Sequence, residues 1–382
     1  MKSTNAKSVF ALITQNNRKF YLIVSAVLMC VLLPFGYSLA ANKISSSSWF
    51  EEITVEPVQQ EQFTGQWTAE MKKGLTDKIW FSISHRSESN GFSQSSNITS
   101  LDTFRGLSLE QINAPNGTNV RFDIVRDAGT IACEGLFKNG NGAGFFTFTP
   151  NQSYISEMGK RGYDNLEPKQ VFQLAVHDVS LKYIDEIAAT GYPDLPFNKL
   201  FAFRIHGVTA QFISDFRSRG YDKIKPNDLI AMRIHGVSTE FVDGLNKYGL
   251  KNQPIDKLIA FRIHGVTPEF IEEMRKLGYT DISAEKLVAF RIHGVTPEFV
   301  NELKQVGFDR VEENDLVAFR IHGVKAEFIR QVRGYGYNPS TRELVSMRIH
   351  GVTGEYIEKM RGKGLKDLTI QDLIDMRIHG IN

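Results

Sequence analysis

The chain is predicted to be α+β: a small antiparallel β domain followed by an all-α solenoid of eight αα-hairpin repeats of about 29 residues. Three observations predict it. The tetrapeptide Arg-Ile-His-Gly returns seven times, beginning at Arg204, Arg233, Arg262, Arg291, Arg320, Arg348 and Arg377, with a spacing of 29 residues broken once by 28. A fixed period of this size marks stacked units, each of which leans on its neighbours to bury an apolar face. Residues 63–149, by contrast, are rich in β-branched and aromatic side chains, with Gly, Asn and Ser clusters and little helical periodicity. Ahead of both, an uncharged run from Phe20 to Phe35 follows Lys2, Lys7, Arg18 and Lys19.

That order divides the chain into an n-region (1–19), a signal peptide or single membrane anchor (20–41), a linker (42–62), the β domain (63–149) and the solenoid (150–382). Small residues at Ser38 and Ala40 fit a secretory signal cut after Ala40; left uncut, Phe20 to Ala41 is long enough to span a bilayer once. On either reading the positive flank stays inside and the rest is extracytoplasmic, periplasmic or secreted. The linker is polar and includes Ser45 to Ser48.

Within the β domain the clearest strands are Val120 to Arg126, Thr130 to Phe137 and Ala143 to Thr149. They are joined by turns at Asp127-Ala128-Gly129 and Asn139-Gly140-Asn141-Gly142, which supply residues tolerant of positive φ. Gly65 to Ala69 and Ile79 to Ser84 are earlier candidates, and the polar stretch Ser93 to Ser100 reads as a loop. Phe148-Thr149-Pro150 runs directly into the first repeat, so an interface between the two parts is expected.

The unit Thr267 to Val295 sets the repeat pattern. Thr267 is a suitable N-cap, Pro268 suits the first helical position, and Glu269 opposes the positive end of the helix dipole. Phe270, Ile271, Met274 and Leu277 share one face, and Gly278 ends the helix. A second helix starts near Ser283 and is apolar over most of its circumference, the pattern of a helix buried between layers. Gly294 ends it, and Thr296 caps the next unit. The cap recurs as Thr209, Ser238 and Thr353, with Lys325 the exception. Ser180 to Val208 and Asn151 to Val179 extend the array forward, Asp178 replacing the glycine, which gives sixteen helices in an elongated, curved rod with one concave face.

Composition narrows the function. The net charge is +2 over 382 residues, and residues 181–382 hold 29 basic against 27 acidic side chains, too balanced for an electrostatic nucleic-acid binder. The two cysteines, Cys30 and Cys133, form no framework of disulfides, and Cys133 reads as a small strand residue rather than a nucleophile. No zinc-peptidase signature, nucleophile elbow or phosphate-binding loop occurs, so no catalytic, cofactor or metal residues are assigned. Arg121, Asp123 and Arg126 alternate along one strand and read as its solvent face.

Eight of the nine histidines sit in the repeat register, among them His206, His235, His264, His293, His322, His350 and His379. Zinc ligands lie about 2 Å from one ion, whereas equivalent positions in stacked units lie a helix pair apart. A structural role near the helix C-terminus follows, with a pH-responsive surface as the alternative. The arginines invade an apolar arc and require partners. Two readings stand: an inter-unit clamp onto the acidic residue of the next first turn (Glu269 after Arg262, Glu298 after Arg291) or onto helix-end carbonyls, and a ligand-facing stripe.

The run Val120 to Thr130, the Gly142-Ala143-Gly144 and Phe146 to Pro150 segment, and the repeats together resemble the extracytoplasmic tail of some bacterial membrane sensors of the beta-lactam-sensing metallopeptidase type. The resemblance spans residues 63–382 and implies a sensing or interaction module. The chain departs from that family in having one apolar segment and no zinc signature, so no peptidase residue carries over. The corner Ile263-His264-Gly265-Val266-Thr267 is also loosely similar to a helix-hairpin-helix element, with threonine in place of the second glycine.

The expected function is non-catalytic binding of another protein of the cell envelope, in sensing or regulation. The membrane is touched only through residues 20–41, and no nucleic acid is expected. The alternatives are a hydrolytic or glycan-directed enzyme with its site in the β domain, and nucleic-acid binding at the helical corners.

Overall fold

The computed structural model describes residues 63–381 apart from 73, 75 and 87–91. The segments assigned to an n-region, a signal or anchor and a linker, residues 1–62, lie outside the described residues. Among the latter no helix is long and apolar enough to cross a membrane.

Six strands form one antiparallel sheet: β1 (Phe63–Glu70), β2 (Lys78–Arg86), β3 (Phe92–Ser100), β4 (Thr118–Arg126), β5 (Gly129–Lys138) and β6 (Asn141–Pro150), in the order β3-β2-β1-β6-β5-β4. The expected three-strand meander is present as β4, β5 and β6, and the second turn is narrower than expected. Only Asn139 and Gly140 take positive φ there, of 47° and 81°, while Gly142 and Gly144 lie in β6.

Ser93 to Ser100 is a strand rather than a loop. It pairs with β2 alone, and polar side chains on both faces leave it no alternating apolar signal. Gln94 and Ser96 both donate to the hydroxyl of the buried Ser82, at 2.9 and 2.8 Å.

The inward side chains of the sheet form an aromatic core. The rings of Trp67 on β1 and Phe122 on β4 are 5.1 Å apart although β6 and β5 lie between those strands. Three flat strand spacings would separate the strands by about 14 Å, so the sheet curls round its core. Phe81 and Phe104 join the cluster. A short helix, α1 (Leu109–Asn113), inserts the fully buried Ile112. The Trp67 indole donates to the carbonyls of Glu134 and Phe145, at 3.2 and 3.1 Å. Gly135 permits this approach, since a Cβ there would stand 2.7 Å from the indole.

Sixteen helices follow, from α2 (Gln152–Lys160) and α3 (Pro168–Val176) to Ile370–Ile378, as eight helical hairpins. The threonine and serine caps act as the pattern predicts: the side chains of Thr209, Ser238, Thr267, Thr296 and Thr353 each accept from the backbone N–H three residues on. Lys325 makes no such bond. Each second helix of the Arg-Ile-His-Gly units ends at a glycine with φ near +70°, and in the first six units the valine that follows is buried, as Val266 and Val295 are, whereas Ile381 after the last is exposed.

Sheet and repeats belong to one compact unit. Phe172 of α3 stacks on Phe146 and touches Phe63 and Phe148. The β4–β5 turn binds the array through polar contacts. Asn151 donates from its backbone to the Ala128 carbonyl and from its side chain to the Asp127 carbonyl, while the Asp127 carboxylate accepts from the Leu181 N–H. Asp178, standing where later units have glycine, pairs with Arg126 at 3.4 Å and Arg204 at 3.1 Å. This corrects the reading of Arg126 as solvent-facing: it shares the inward register of Val120, Phe122 and Ile124.

Candidate functional site

The recurring tetrapeptide forms the last turn of each second helix, and its residues point in different directions. Helix ends leave backbone carbonyls without intrahelical partners. In six of the seven units the arginine serves one such carbonyl of the unit before it. Arg204, Arg233, Arg262, Arg291, Arg320 and Arg348 donate through Nε to the carbonyls of His177, His206, His235, His264, His293 and His322, at 2.8–3.3 Å. The guanidinium groups also lie over aromatic rings of neighbouring first helices, as Arg291 does over Phe270 at 4.9 Å and Arg377 over Tyr356 at 4.9 Å. The arginine is therefore an inter-unit clamp, and of the two partners expected for it the carbonyl is the one used.

The acidic residues of the next first turn serve another purpose. The Glu269 carboxyl is held below its ordinary range by its own backbone N–H and the Thr267 hydroxyl. That of Glu298 is lowered first by Thr296, with Arg291 only a minor influence. Both carboxylates thus interact first with the start of their own helix rather than with the arginine.

Arg291→Met keeps the stem over Phe270 and removes the donor to the His264 carbonyl. The expected cost is about 1.5 kcal/mol, from a charge-assisted hydrogen bond and a cation–π contact at a partly exposed site. Urea denaturation measures it, and an unchanged midpoint and slope would sink the clamp.

The isoleucine between the arginine and the histidine was not singled out by the sequence pattern, yet it is the residue the fold presents. Leu258 and Phe261 point into the hairpin and are fully buried. Ile263, two residues past Phe261 and five past Leu258, lies about 200° and 140° round the helix from them. It is 53% exposed, and Ile205, Ile234, Ile292, Ile321, Ile349 and Ile378 fall between 46% and 54%. The second helices are therefore not buried all round, contrary to expectation. The wheel showed apolar residues on every side, but a hairpin stacked on two neighbours covers only part of its circumference.

Beside the isoleucines run the half-buried Ile230, Ile259, Val288, Val317 and Val345 and a row of alanines including Ala260 and Ala289. The second helices of successive units pack beside one another along the array, so these positions recur at the same place on each. The register thus sets one exposed isoleucine per unit, an apolar ladder along the array. The histidine side chains flank it, and His235, His293, His350 and His379 are exposed. His177, one unit earlier, is half-buried against Phe201; burial, and then Arg204, hold its imidazole below the ordinary range.

Among the described residues no group of three His, Cys, Asp or Glu side chains could hold a metal ion. Cys133 faces the sheet's core, and burial, with Asp123 a lesser cause, raises its thiol well above the ordinary range, so it supplies no thiolate. A cavity of about 690 Å³ lies on the outer face of the sheet, beside Arg105, Arg121, Asp123, Glu134 and Phe145.

No protein-family model matches the chain, and no curated protein matches its sequence.

Proposed function

We propose that this protein is a non-catalytic, extracytoplasmic scaffold whose second-helix face binds an apolar segment of another cell-envelope protein, in a sensing or regulatory role. The carrying observation is the isoleucine ladder, in which seven units keep one residue type at a position half open to solvent. Internal packing explains the leucine and phenylalanine of each unit but places no such demand on an exposed side chain, and contiguous exposed apolar surface is the mark of an interaction site. Arg233, Arg262, Arg291 and Arg320 are exposed beside the isoleucines, but each is tied through Nε to a carbonyl of the preceding unit, so the isoleucine, valine and alanine side chains supply the surface not already engaged within the array. That composition suits an apolar peptide better than a phosphate backbone. The apolar segment 20–41 and the likeness to sensor tails support the location and role.

Site-specific photo-crosslinking in the native envelope tests the reading. Probes at Ile263 and Ile321 are expected to capture the same protein, and a probe at the exposed Glu302 of a first helix is expected to capture none. Completing the burial of a half-exposed isoleucine contributes about 1 kcal/mol. Ile263→Ser should therefore weaken the complex about fivefold. Equal labelling at all three positions, or capture of nucleic acid, would refute the scaffold.

A further inference from the structure

The outer face of the sheet carries a concavity built from residues other than those of the ladder. Cross-strand register sets Arg121, Glu134 and Phe145 in one row and Asp123, Ala132 and Thr147 in the next. Arg105 extends the second row, its backbone exchanging two 2.9 Å hydrogen bonds with Asp123. Ala132 and Thr147 are short, and longer side chains stand round them, so the face is hollowed where they lie. The resulting cavity of about 690 Å³ is within the size range of small-ligand sites.

Phe145 is 62% exposed, the highest value among the large apolar side chains of the described residues. Its backbone carbonyl and that of Glu134 both accept from the buried Trp67 indole, so the aromatic platform and the neighbouring carboxylate are held from beneath. Arg121 and Glu134 pair at 3.7 Å with side chains 88% and 66% exposed, an interaction weak enough for both to turn to a ligand.

The charges decide the ligand class. Two guanidinium groups and two carboxylates cancel, so the site has no net field with which to select an anion or a cation. It offers an aromatic face, planar donors and planar acceptors. A sugar ring matches these, because its C–H face packs on an aromatic ring while adjacent hydroxyls both donate to carboxylates and accept from guanidinium groups.

We propose that this concavity binds a saccharide unit of a neutral glycan, non-covalently and without cleavage. A glycan anchor on the sheet would hold the protein at a polysaccharide surface while the array engages its protein partner.

Calorimetric titration of the full chain with β-1,4-linked hexasaccharides of glucose and of N-acetylglucosamine tests this, with sodium sulfate as the anion control. Saturable binding of at least one saccharide is expected, with sulfate giving no heat. Phe145→Ala should weaken it at least tenfold and the isosteric Glu134→Gln severalfold, both with unchanged melting temperature. Ile263→Ser should leave it intact, which separates this site from the ladder. Absence of binding by both saccharides at millimolar concentration, binding that survives Phe145→Ala, comparable binding of sulfate, or recovery of shortened saccharide would each overturn the proposal.

Discussion

Phe172→Ala is expected to destabilise the protein by about 4 kcal/mol, within the range for removing a buried phenylalanine side chain, and to separate two unfolding transitions that coincide in the parent. Phe172 is 5% exposed, and its ring lies 4.5 Å from Phe63 and 5.3 Å from both Phe146 and Phe148. Its ring thus packs α3 against side chains of β1 and β6, and truncating it leaves a cavity in that contact. Trp67 and Trp80 lie in the sheet and no tryptophan lies in the repeats, so the change in fluorescence from these two reports on the sheet while far-ultraviolet circular dichroism is dominated by the helices. Divergence of the two curves in the variant is the predicted result. Coincident curves with a loss below about 1 kcal/mol, less than truncation of a buried phenylalanine costs, would assign the coupling instead to the polar contacts of Asp127 and Asp178.

Gly294→Ala is expected to cost about 3 kcal/mol, the sum of a left-handed backbone penalty and a damaged clamp. Gly294 has φ of +72°, and a Cβ there would stand 2.8 Å from Nη2 of Arg320, whose Nε donates to the neighbouring His293 carbonyl. Accommodating the methyl group pushes the guanidinium off both the carbonyl and the Phe299 ring. Gly249 provides the comparison. Its φ is +85°, but nothing lies within 4 Å of an added Cβ, so Gly249→Ala carries the backbone penalty alone, about 1–2 kcal/mol. Denaturation of both variants isolates the clamp as their difference. Equal losses would show that the glycine serves only conformation, and that Arg320 finds an equivalent place when displaced.

The repeats were the most legible part of the chain. Periodicity, capping threonines and terminating glycines report on interactions within a few residues, and each unit restates them, so the sixteen helices and the missing cap at Lys325 follow directly from local pattern. The β4–β6 meander was legible for the same reason, through short turns. β3 was not, because an edge strand polar on both faces carries no period; it is a strand only because β2 offers it a ladder.

The arginine showed the boundary most clearly. Its amphipathic position announced that it needed a partner and that the partner belonged to a neighbouring unit. The choice between the glutamate that follows it and the carbonyl 27 residues before it depends on how the hairpins stack. The isoleucine ladder lay beyond that boundary for a related reason. On a helical wheel Ile263 is simply another apolar residue, and only the covering of Leu258 and Phe261 by neighbouring units leaves it in solvent. Local sequence thus specified the helices, their ends, and the period at which they repeat, because these are set by backbone hydrogen bonding within one unit. Which side chains clamp, which remain exposed, and how the sheet curls to bring Trp67 against Phe122 were decided by packing between units and across non-adjacent strands, where the relevant neighbours are far apart in the chain.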